Sequence, residues 1–161
     1  MKNIIILFLI FSAVVFAKWE VGTLHTTSGD PLIYFSNYDF ENEASIGIGV
    51  NIDYDYSAVF IYNSQIKKGD NSVALIITDN EGNDMQCNFY EDDIYDDCIN
   101  IPSGRSTVLT KMLYNGKSAI LINKKTGETL ATFDLKGIKQ IMQKHVGNSY
   151  WYKYKLNSIY D

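Results

Sequence analysis

The sequence predicts a mainly-β chain, an antiparallel β-sandwich or barrel-like sheet carrying two short helices. Three observations lead there. Short runs rich in β-branched and aromatic residues recur along the first hundred positions, and Gly, Asn and Asp turns separate them. Helical spacing of apolar residues appears in only two places, both in the second half. The chain has 161 residues, 46% hydrophobic and 20% charged, which suits one domain with a sizeable core rather than a polyelectrolyte or a multi-domain enzyme.

In chain order, residues 1–17 read as a cleavable export signal. Lys2 is basic, Ile4 to Phe16 is apolar apart from Ser12, and Val15-Phe16-Ala17 offers small residues at −3 and −1. The apolar run is too short for a bilayer, so the product, starting at Lys18, is expected to have no stable membrane insertion and to be periplasmic, secreted or at the cell surface. Residues 18–147 form the expected sandwich domain. Its strands are read at Trp19-Glu20-Val21 to Leu24, Leu32 to Phe35, Ile46 to Val50, Ala58 to Tyr62 and Val73 to Ile77. Turns are placed at Ser28-Gly29-Asp30-Pro31, Lys67 to Asn71 and Asp79 to Asn83. Ser106 caps a helix with Val108, Leu109, Met112 and Leu113 on one face, ended by Asn115-Gly116 with a residue able to take positive φ. A hairpin follows, Lys117 to Asn123 and Thr129 to Leu135 around Lys124-Lys125-Thr126-Gly127. Ile138, Ile141, Met142 and Val146 place a second helix at about Gly137 to His145. Residues 148–161 are a distinct Tyr/Lys-rich C-terminal strand or tail, in which Tyr152, Tyr154 and Leu156 alternate with Lys153 and Lys155.

Acidic residues outnumber basic ones, 19 to 14, for a net charge of −5, and loss of Lys2 with the leader makes the product more acidic still. That field repels phosphate backbones, which argues against nucleic acid as a partner. Cys87 and Cys98 are the only cysteines. In an exported chain such a pair is expected to close as a disulfide, stabilising the fold by about 3 kcal/mol.

Five acids lie between the cysteines: Glu91, Asp92, Asp93, Asp96 and Asp97, with Tyr95 among them. On a closed hairpin they form a negative patch for a basic protein partner, a set of hard oxygens for calcium, or a solvated loop tip. Around Gly82, Asp79, Glu81 and Asp84 lack the glutamate that closes a calcium loop, so no metal or other cofactor is assigned. No Gly-x-Ser-x-Gly occurs, and His25 and His145 are far apart, so nucleophilic catalysis has no support and no catalytic residue is named. Asp53 and Asp55 would share one face of a strand from Ile52 to Tyr56, and Tyr54 and Tyr56 the other. That is the arrangement a carboxylate-pair hydrolase acting on polysaccharide would use. Tyrosine is the distinctive residue, with 12 copies suited to a recognition surface or to a packed sheet with hydrated hydroxyls.

Cys98, the helix with Leu109 and Leu113, Asn115-Gly116-Lys117 before an apolar strand, the turn at Gly127, and Phe133-Asp134-Leu135-Lys136-Gly137-Ile138 entering a helix together resemble the invasion-associated locus B proteins. The resemblance covers about residues 87–145. It implies a small exported β-sandwich of the Gram-negative envelope that works by binding rather than catalysis. The leading expectation is therefore an exported, non-catalytic binding protein of the bacterial envelope. The alternatives are an inhibitor or immunity protein against a basic lytic enzyme, and the polysaccharide hydrolase.

Overall fold

The computed structural model describes residues 19–25, 29–68 and 72–158. The leader, residues 1–17, and the Ser28 and 69–71 parts of two expected turns lie outside the described residues. The elements are, in order, β1 (Glu20–His25), β2 (Pro31–Asp39), β3 (Ala44–Asn51), β4 (Tyr56–Asn63), β5 (Val73–Asp79), β6 (Asp84–Asn88), β7 (Ile94–Tyr95), β8 (Cys98–Ile101), α1 (Ser103–Asn115), β9 (Gly116–Asn123), β10 (Thr129–Asp134) and α2 (Ile138–Val146). Single helical turns follow at Glu91–Asp93 and Trp151–Leu156.

Every strand pairing is antiparallel, and the strands form two separate sheets, so the molecule is sandwich-like and not a closed barrel. One sheet has the order β1-β2-β3-β4-β8-β7, the other β10-β9-β5-β6. Alternation sets what each face carries. Phe35, Ile46, Ile48, Val59, Ile61 and Ile99 of the six-stranded sheet point inward and are fully buried, opposite Leu75, Ile77, Ala119, Leu121 and Phe133. Trp19 packs into the same core just ahead of β1. Gly47 of β3 is required where it stands, because Tyr34 lies across it in the space a Cβ would fill.

The two sheets are also stitched along one side by polar side chains. Asn63 Nδ2 donates to the Leu130 carbonyl at 3.2 Å, the Thr132 N–H donates to Asp39 Oδ2 at 2.7 Å, and Asn37 Nδ2 donates to the Asp134 carbonyl at 2.6 Å. These contacts fall on alternate residues of β10, the outermost strand of its sheet, and so occupy one backbone group of each on its outer edge.

Local structure departs from the sequence reading along α1 and in the tail. Helix α1 begins at Ser103, with Pro102 and not Ser106 at the cap position, four residues early. Ser106 does not cap it but sits fully buried inside, bonded through its hydroxyl to the Ser57 carbonyl and, at 2.6 Å, to the Ser57 hydroxyl, which pins the helix to β4. Its buried face is Leu109, Thr110, Leu113 and Tyr114, whereas Val108 is exposed and Met112 only half-buried. Gly116 does not take positive φ: at −77° it runs straight into β9. The tail is not a strand. Residues 151–156 coil with Trp151, Tyr152 and Leu156 buried, because Ser149 Oγ accepts the Tyr152 N–H at 3.1 Å and starts a helical turn. Tyr150 and Tyr154, both exposed, then meet with their rings tilted by 35° and centroids 4.7 Å apart. Helix α2 matches its prediction to one residue, entered from Gly137 at φ 92°, a left-handed conformation that glycine takes at no steric cost.

The expected Cys87–Cys98 disulfide is corrected: both thiols are free. Cys87 stands on β6 opposite Leu75 and faces the core of the four-stranded sheet. Cys98 stands on β8 opposite Tyr62, whose neighbours in β4 alternate with the buried Val59 and Ile61, so it faces outward from the other sheet. The strand period aims the two sulfurs to opposite sides of the six-stranded sheet, an arrangement no disulfide geometry spans.

Candidate functional site

Among the described residues no helix covers the outer face of the six-stranded sheet, and one row of side chains crosses it. Tyr38 of β2 pairs with Ser45 of β3, Ser45 with Tyr62 of β4, Tyr62 with Cys98 of β8, and Cys98 with Tyr95 of β7. Partners across a ladder share a face, so Tyr38, Ser45, Tyr62, Cys98 and Tyr95 form one outward line, roughly 19 Å long at the usual strand spacing. Tyr38, Tyr62 and Tyr95 are exposed, Tyr95 at 59%. Phe40, 84% exposed at the β2–β3 hairpin, extends the line by stacking on Tyr38 with centroids 5.6 Å apart. Tyr38, Phe40, Ser45 and Tyr62 share a shallow hollow of about 370 Å³ with Asp39 and Glu43. Beside the row, on the same face, Tyr34 meets Phe60 edge-on at 6.0 Å.

Acids stand at both ends of this row. At the Tyr38 end, the β2–β3 turn presents Glu41 and Glu43 and is held by Asp39, whose carboxylate accepts the Asn42 N–H at 3.2 Å and Asn42 Nδ2 at 2.7 Å. At the Tyr95 end, Asp96 and Asp97 form the tip between β7 and β8. Asp96 has φ 52°, a left-handed conformation that Asp tolerates better than most residues. Glu91 and Asp92 are exposed beside them and share a hollow with Tyr95 and Lys68. Burial, and then the neighbouring Asp97 charge, raise the Cys98 pKa, so the thiol in the row stays protonated at neutral pH. Tyr34 is pushed up to about 12 by burial first, with Tyr38 and Cys98 adding to it.

Five of the six acidic-segment residues that the sequence singles out, Glu91, Asp92, Tyr95, Asp96 and Asp97, therefore meet at one end of the aromatic row. Asp93 is the exception, and its assignment to a displayed patch is corrected. It is 5% exposed, accepts two hydrogen bonds from Arg105 Nη1 at 2.7 and 2.9 Å, and accepts the Tyr90 N–H at 2.8 Å. The Arg105 guanidinium in turn lies 4.5 Å from the Tyr90 ring centroid, so Asp93 ties the acidic segment to α1.

The carboxylate-pair arrangement is also corrected. Residues 52–55 are not a strand but the turn between β3 and β4, because Asn51 Oδ1 accepts the N–H groups of Asp53 and Tyr54 at 3.0 and 2.9 Å and bends the chain out of the ladder. Asp55 has φ 52°, so Asp53 and Asp55 are not two steps along one face. Tyr54 is exposed on the turn, while Tyr56 begins β4 and lines a separate apolar hollow with Leu32 and Phe60. Asp53 lines a cleft of about 260 Å³ with Lys144 and His145 instead.

Tyr38, Phe40 and Tyr62 escape sequence reasoning. Their strands are legible, but that Tyr38 and Tyr62 stand in one line with Tyr95 depends on the pairing register of strands far apart in the chain. Among the described residues, no group of three or more His, Cys, Asp or Glu is arranged to hold a metal ion, and no helix is long and apolar enough to cross a membrane. No family model, curated protein or solved structure matches the chain.

Proposed function

We propose that this chain is an exported binding protein of the bacterial envelope that captures a cationic protein on the open face of its six-stranded sheet. The observation that carries the reading is the Tyr38-Ser45-Tyr62-Cys98-Tyr95 row with carboxylates at both ends. Interfaces draw their energy from a few aromatic side chains near the centre of the contact, and tyrosine gives large area at small entropic cost. Rim charges add little affinity but steer the encounter and reject partners of the wrong sign, which in this acidic chain favours basic ones. The resemblance of residues 87–145 to the invasion-associated locus B proteins supports the same class, binding without catalysis.

The test immobilises the protein and probes it with a set of small basic proteins, a lysozyme among them. A captured partner should be held about tenfold or more weakly by Tyr62→Ala and by Tyr95→Ala. The combined change of Asp92, Asp96 and Asp97 to Asn should mainly slow association and flatten its salt dependence. Capture that is no better than that of the two tyrosine variants, for every member of the set, would overturn the assignment. Loss of lytic activity on stoichiometric addition would identify the inhibitor reading within this one.

A further inference from the structure

The strand edge of β6 faces α1. A cleft of about 330 Å³ lies between them. On one side it is lined by Gln86, Cys87 and Asn88. Gln86 and Asn88 point to one face of their sheet and Cys87 to the other, so a cleft touching all three runs along the edge of the strand. Among the described residues that edge is unpaired in the ladder, because β6 ends its sheet and has only β5 beside it. The opposite wall is Arg105, Val108, Leu109 and Met112, positions that fall on one stripe of α1 over about 10 Å, long enough for three residues of an extended chain. This stripe accounts for the apolar residues that α1 does not use in the core: Val108 is 62% exposed and Met112 half-buried, and both face the cleft.

A free strand edge opposite an apolar helix stripe is the arrangement that accepts a peptide by strand addition. Backbone hydrogen bonds supply affinity and alternate side chains enter the pocket. The charges decide which peptide. In a chain of net charge −5, Arg105 lines the slot, and Lys124, outside its lining, reaches the Asn88 end, where its Nζ donates to Asn88 Oδ1 at 3.3 Å. Asp93 balances the charge of Arg105 through Nη1, so Lys124 supplies the net positive charge and Arg105 its remaining N–H donors. The other end of the strand is Asp84. We propose that this slot binds an extended peptide segment of a partner protein, one apolar side chain entering between Cys87, Leu109 and Met112 and an acidic side chain lying at the Arg105–Lys124 end. The site is independent of the aromatic row and stands or falls separately.

The experiment titrates isotope-labelled protein with the capped peptide acetyl-Glu-Val-Thr-Val-Thr-amide and with versions carrying Gln or Lys in place of its Glu. The glutamate peptide should shift the amide resonances of Gln86, Cys87 and Asn88 and slow their hydrogen exchange. It should bind about tenfold more tightly than the glutamine peptide, with the lysine peptide weakest. Val108→Glu, on an exposed position that leaves the melting temperature unchanged, should abolish the shifts while Tyr62→Ala leaves them intact. No change at the β6 amides at millimolar peptide, or equal affinity for the three peptides, would overturn the proposal.

Discussion

Asp93 shows at the scale of one residue how an acid in a run of acids takes a structural part. It has given up hydration and gained Arg105 and the Tyr90 N–H, whereas Asp92 keeps its water. Asp93→Ala should therefore lower stability by about 1–2 kcal/mol, the lower part of the range for a buried partner because Arg105 is 41% exposed and partly screened. Asp92→Asn should leave the urea midpoint unchanged. Asp39 makes a second residue-scale prediction. Desolvation raises its pKa, but the donors of Thr132, Asn42 and Glu41 together outweigh it and hold the carboxyl below the usual range. A depressed folded pKa contributes stability that is complete above the unfolded value and is lost as pH falls through the folded one. The melting temperature should accordingly drop on acidification below about pH 4, and Asp39→Asn should reduce that drop. Asp79, held low by its bonds from Asn83, accounts for part of the fall that remains.

At the scale of elements, the C-terminal turn is the clearest consequence of packing overriding pattern. Alternation at Tyr152, Tyr154 and Leu156 reads as a strand, yet Trp151 and Leu156 are buried together on one side of a coil. Trp151→Ala should cost about 3–5 kcal/mol in a denaturant melt, a loss that an undocked tail would not show. Strands β2, β3, β4, β5 and the β9–β10 hairpin are legible because each is a long β-branched run bounded by turn residues. Strands β7 and β8 are not, being only two and four residues long among acids, and β6 has the alternating sequence Asp84-Met85-Gln86-Cys87-Asn88 without the aliphatic density of its neighbours. The acidic end of the candidate site was legible as composition. Its tyrosine line was not, since a ladder joins positions up to 57 residues apart, Tyr38 to Tyr95, that no local window contains.

The whole molecule distributes its open surfaces unevenly. One face of the six-stranded sheet is closed by the core, and the other is left to Tyr38, Tyr62 and Tyr95. Strand β1 is exposed along all six residues and is secured mainly by its ladder to β2. The four-stranded sheet has two rims that were treated differently. On β10, three side chains from the facing sheet bond the Leu130 and Asp134 carbonyls and the Thr132 N–H. On β6 the rim meets only a cleft. A guest strand in the proposed β6 slot would lie between that rim and α1, so the helix stands where a second guest would have to pair, and the slot itself should take one peptide per chain.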